Sequence, residues 1–222
     1  MLKLNKILVS LLIVAFISAI ALPALTNAVQ PDIVQITHEI KYRENDAKPS
    51  SPGKPSPSNA DYKISINKAK TDIPVTLTVY TQNPEGITST AFITAISDAA
   101  YEWDQYTSAT LVNTIVEVES GTISVALNGE NSIFFADLDS GIIAMASYWY
   151  NRATKEIVEC DIQFNTDFIW GDAKLNPSVM DLQNIATHEL GHFFNLADIY
   201  DPSKDTLTMY GYSWEGDIEK RT

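Results

Sequence analysis

The chain has one cysteine, Cys160, and three histidines in 222 residues. A lone thiol excludes any internal disulfide. Cys160 lies in an alternating apolar run and reads as a buried strand residue. Basic residues are also scarce: 15 Lys and Arg against 28 Asp and Glu leave a net charge of −13. That balance argues against nucleic acid or an anionic membrane as partner, and it suits basic substrates or bound calcium. There is no internal repeat and no Asn-x-Ser/Thr sequon. One long apolar run occurs, residues 7–22, with Lys3 and Lys6 before it and Pro23 after it. Thr26, Asn27 and Ala28 then offer small residues for cleavage, so residues 1–28 read as a secretory signal. The expectation is a secreted protein. A surface membrane anchor is the alternative, because the run approaches spanning length. Cleavage removes two lysines and no acids, which takes the charge from −13 to −15.

Residues 29–47 are mixed and polar, and His38 among its charged neighbours reads as a solvated side chain. Residues 48–59 are rich in proline and serine, a composition that favours extended linkers. Residues 29–71 are therefore expected to be a propeptide-like segment or stalk with its linker, and 72–222 the folded domain. Val75, Leu77 and Val79 alternate as in a half-buried strand over 74–80. Phe92, Ile96, Ala99, Ala100 and Trp103 recur at helical spacing and predict an amphipathic helix over 88–106. Strands are expected over 111–118, 122–127, 141–150 and 157–164, with a loop over 128–141 that carries Asp137 and Asp139. A further helix is expected from Pro177 onward, with Ser178 as its N-cap and Asp181 near its positive end.

On that helix stands His188-Glu189-Leu190-Gly191-His192. Two histidines four apart share one helix face, separated by about 40° around its axis. Both imidazoles can then reach one zinc ion. Glu189 follows the first, where a carboxylate can stand beside a metal-bound water without ligating the metal.

With the residues that follow, this stretch resembles the metzincin metalloproteases, whose long signature is His-Glu-x-x-His-x-x-Gly-x-x-His with a later methionine turn. Thr206 to Tyr212, with Met209-Tyr210, is most similar to the matrixin branch. Asn195 stands at the glycine position, which requires a left-handed residue, and Asn is the next most tolerant side chain. Asp198 stands at the third histidine; it is a competent zinc ligand, though shorter and anionic. Asp201 is the fallback ligand, and Glu215 or Glu219 would serve in another zinc-protease clan.

The resemblance implies an α+β fold: a twisted mixed sheet, a long N-terminal helix, and a zinc helix followed by a Met-turn. It implies a zinc-dependent endopeptidase acting on protein or peptide substrates, with His188, His192 and Asp198 on zinc and Glu189 as general base and acid. Met209 would form the floor under the metal, and Tyr210 or Tyr212 would donate to the oxyanion. Residues 141–150 match the edge strand to which an extended substrate adds antiparallel. Calcium is the second ion the resemblance allows, near Asp137 and Asp139. Matrixin latency through an upstream cysteine is excluded, because no cysteine precedes the domain. After Met209 only 13 residues remain, so the closing helix of relatives is expected to be short or absent. The alternative is an inactive metalloprotease-fold binding protein that keeps a zinc site.

Overall fold

In the computed structural model, which describes residues 32–43, 61–83 and 86–222, an eight-stranded mixed sheet carries two α-helices, beside a separate two-stranded sheet. In chain order the elements are β1 (Ile33–Tyr42), β2 (Lys70–Thr71), β3 (Val75–Tyr80), α1 (Ser89–Asp104), β4 (Val112–Val118) and β5 (Ser132–Ala136). They continue with β6 (Ile142–Asn151), β7 (Glu156–Asn165), β8 (Trp170–Gly171), β9 (Met180–Asp181), α2 (Leu182–Phe193) and β10 (Tyr212–Ser213). The main sheet runs β10-β1-β6-β7-β5-β3-β4, with β2 paired to β7. The signal-like residues 1–28 and the linker 48–59 lie outside the described residues.

The half of the sheet from β7 to β4 is parallel. Parallel strands are covered on both faces, which explains why β5 and β7 bury residues on both sides. On the other side β6 pairs antiparallel with β7 on one edge and with β1 on the other, and β1 pairs in parallel with β10. The core lies between sheet and helices, around Phe92, Phe164, Trp170, Ile185 and Leu190. Trp103 of α1 donates its indole N–H to the Thr187 carbonyl at 2.8 Å, which ties the two helices together one residue before His188.

Several expected elements move. Residues 122–127 form no strand. Their stretch hangs from two buried β7 carboxylates, with Ala126 N–H donating to Asp161 at 3.1 Å and Asn128 N–H to Glu159 at 2.8 Å. The expected loop over 128–141 contains β5 instead; three apolar residues suffice for a strand that neighbours flank on both sides. The second helix starts later than expected, at Leu182, because Met180 and Asp181 pair with β8. Its N-cap is Asp181, whose side chain accepts from the Asn184 N–H at 2.8 Å, so Ser178 does not cap it.

A short turn, Glu219–Arg221, packs against α2. Lys220 is fully buried and donates from Nζ to Asp217 at 2.5 Å, while its N–H donates to the Asn184 side chain at 2.6 Å. Arg221 pairs with Asp181, donating from Nε at 2.7 Å. Removing one member of such a buried pair leaves an uncompensated charge, so this tail anchors α2 from its N-terminal end.

Candidate metal site

Helix α2 places His188, Glu189 and His192 in full burial. The Nδ1 of His188 lies 2.8 Å from the Thr208 carbonyl, and that of His192 lies 2.9 Å from the Leu196 carbonyl. A carbonyl only accepts, so each Nδ1 carries the proton and each Nε2 keeps a lone pair for a metal. The two Nε2 atoms are 3.2 Å apart, and Asp198 Oδ1 lies 3.2 Å from the first and 3.6 Å from the second. Donors on a tetrahedral zinc with bonds of about 2.0–2.1 Å are separated by about 3.3–3.4 Å. The three atoms are therefore spaced as one face of such a tetrahedron would be.

Unpartnered acceptors point the same way. Asp198 Oδ1 and both oxygens of Glu189 are buried with no hydrogen-bond partner. Buried acceptors without donors are costly, and a cation with its water satisfies all three. Burial pushes the Glu189 carboxyl well above its ordinary range, and the Asp198 charge adds to the effect. Burial also opposes ionisation of Asp198, but the neighbouring His188 and His38 side chains outweigh it and hold that carboxyl below the usual range. Burial, with a smaller contribution from the adjacent His188, pushes the His192 pKa well below its ordinary value and so favours the neutral imidazole, the form able to ligate a metal.

The chain leaves the helix at Asn195, whose φ is +70°. The left-handed conformation expected at this position is present, and the amide adds something glycine lacks. Its Oδ1 accepts from the Ile66 N–H at 2.9 Å, and its Nδ2 donates to the Ile66 and Ala69 carbonyls at 3.0 and 3.2 Å. Asn195 thus redirects the backbone toward Asp198 and grips residues 66–69. Beneath the helix, Met209 is buried, and a methyl group at Gly191 would overlap its sulfur and lie 2.9 Å from the Trp103 ring. Glycine at 191 is what lets Met209 approach α2.

The other expected residues fall around this centre. Tyr210 is buried, and its hydroxyl accepts from Arg43 Nη1 at 2.8 Å. Tyr212 packs edge-on to Tyr200, with the Arg43 guanidinium 5.6 Å from its ring centre. Asp201 caps a short turn, accepting from Ser203 N–H at 3.0 Å, and Glu215 accepts from the Tyr42 hydroxyl at 2.9 Å. Glu219 is exposed, as are Asp137 and Asp139.

His38 is a correction. It is not solvated: it stands in β1 with its ring stacked on His192, 4.2 Å between centroids. Its Nδ1 donates to Asp198 Oδ2 at 2.9 Å, and its Nε2 lies 3.1 Å from Ser65 Oγ, which in turn is 2.5 Å from the Tyr148 hydroxyl. His38, His192 and Asp198 each offer a ligand atom within 4.8 Å of one another. The signal was the alternation Ile36, His38, Ile40, Tyr42 against polar residues, which marks a strand.

A His-Glu-x-x-His helix with a carboxylate brought beside it past a left-handed turn is the arrangement of a candidate metalloprotease-type metal site. The chain belongs to the matrixin family of metzincin metalloproteases: the Matrixin family model matches residues 67–218. Comparison with curated proteins found no match. Among the described residues no helix is long and apolar enough to cross a membrane.

Proposed function

We propose that the protein is a secreted zinc-dependent endopeptidase that cuts protein or peptide chains, with residues 72–222 as its catalytic domain. The observation that carries this reading is the donor triangle of His188, His192 and Asp198 beside an unpartnered Glu189. A structural metal site gives such a carboxylate nothing to do. Zinc, when bound there, supplies a Lewis acid and a more acidic water. Glu189 takes the proton from the attacking water and delivers it to the leaving amine nitrogen. The carbonyls of Thr208 and Leu196 orient the two histidine ligands. Met209 serves as the Met-turn floor. Tyr212 or Tyr210 donates to the oxyanion; the Tyr210 hydroxyl accepts from Arg43 and keeps its own O–H to donate. Calcium belongs to this reading as a second, non-catalytic ion.

The test is cleavage of an unstructured peptide library by residues 29–222 with added zinc. Glu189→Ala should lower cleavage by about 10²–10⁴-fold while zinc content stays at one ion per chain. Bound zinc with no cleavage by any form of the chain would instead favour a binding protein that keeps the metal site.

A further inference from the structure

We infer that residues 33–42 are a built-in occupant of the substrate groove and hold the protein latent. The inference rests on the protease reading above. The outer edge of β6 is where an extended substrate would add antiparallel, and the chain's own β1 already fills it. The pairing runs in that direction from Ile33↔Asn151 to Lys41↔Ile142. On its other side β1 pairs in parallel with β10, through Lys41↔Tyr212 and Tyr42↔Ser213. The strand is therefore threaded between two rims of the groove, the edge strand β6 and the segment that follows Met209.

The side chains of β1 grip the site itself. His38 covers His192 and bonds the free oxygen of Asp198. Tyr42 reaches Glu215, and Arg43 reaches Tyr210. Ile40 is fully buried, the one residue of the strand that is. With this strand in place His188, Glu189 and His192 have no exposed surface, and Asp198 keeps 5 %. A site closed in that way admits substrate only when the strand lifts off. The tether makes a modest ladder sufficient, because a segment on the same chain competes at an effective concentration of about millimolar. This latency needs no cysteine. A backbone strand takes the groove, and a histidine sits over the ligands.

The experiment compares the full chain with His38→Ala/Arg43→Ala and with Ile40→Asp, each loaded with zinc. Amide hydrogen exchange across 33–42 reports release of the strand, and continued protection of α1 reports that the domain remains folded. Two readouts follow: cleavage of the unstructured peptide library, and the rate at which a chelator strips the zinc. In the released variants both should rise by about tenfold or more. If the released variants cleave no faster than the parent chain, the latency inference is overturned and the protease reading survives. If no form cleaves but chelation accelerates, the protease reading fails while β1 remains the cover of the site. If neither cleavage nor chelator access responds to strand release, the inference is wrong whatever the activity.

Discussion

Strand β6 is paired antiparallel along both edges, with β7 on one side and β1 on the other, and the two partners are held in different ways. β7 returns from β6 within four residues and buries seven of its ten side chains; β1 buries one of ten. The hydrogen-bond ladders are alike, so the difference lies in the side chains. Those of β7 build the core, with Ile162 and Phe164 fully enclosed. Those of β1 reach the candidate metal site and its neighbours instead, through His38, Tyr42 and Arg43. One edge of β6 is fastened by the hydrophobic effect and belongs to folding. The other is fastened by polar contacts with the site and belongs to function.

The sharpest way to break this comparison is to delete apolar bulk on each side. Phe164→Ala should cost about 3–5 kcal/mol, the usual loss for an enclosed aromatic. Ile36→Ala in β1, only partly buried, should cost about 1 kcal/mol. Urea unfolding of both variants measures the difference. Equal losses would make β1 part of the core and remove the distinction between the two edges.

A smaller effect is expected inside the site. Gly191→Ala puts a methyl against the Met209 sulfur and the Trp103 ring, at a helix position where alanine is otherwise the better residue. Overpacking should win, with a loss of about 1–3 kcal/mol by thermal or urea unfolding. A stabilised variant would show that the Met209 side chain can move aside and that the floor under α2 is soft.

The contrast also explains what was legible in the sequence. His188, Glu189, His192 and Asp198 lie within eleven residues, and helical geometry plus one left-handed exit brings them together. Short-range rules suffice for such a cluster. The central strands β3 and β7 were visible through alternation, but β5 was not. Its Ile133-Phe134-Phe135 run lacks the period of a half-buried strand because β5 is buried on both faces, with Ser132, Ile133 and Phe134 consecutively enclosed. His38 lies 160 residues from Asp198 in sequence, and its local surroundings are polar. Only the pairing of β1 with β6 gives it meaning, and no local pattern encodes a partner at that distance. The acids of β7 likewise take their meaning from residues distant in the chain. Glu159 and Asp161 are buried, and their charge is spent on backbone N–H groups of the 126–132 stretch.

A second N-terminal stretch, residues 63–69, sharpens the comparison further, because Asn195 fastens it to the helix exit. Ser65 N–H donates to the Asn195 carbonyl at 2.9 Å, and Ala197 N–H donates to the Lys63 carbonyl at 2.8 Å. Asn195→Gly keeps the left-handed φ but deletes the three side-chain bonds to 66–69, for a loss of about 1 kcal/mol. Asn195→Ala loses those bonds and adds a left-handed penalty of about 1–2 kcal/mol. The more telling measurement is hydrogen exchange at the Ile66 amide, which loses its acceptor in both variants. If exchange there quickens while 33–42 stays protected, the two stretches are held independently. Then Asn195 anchors the entry to the domain, and β1 alone covers the metal site. If protection of 33–42 falls as well, the Ser65 link between His38 and Tyr148 couples them, and the cover over the site is a two-part structure that Asn195 supports from behind.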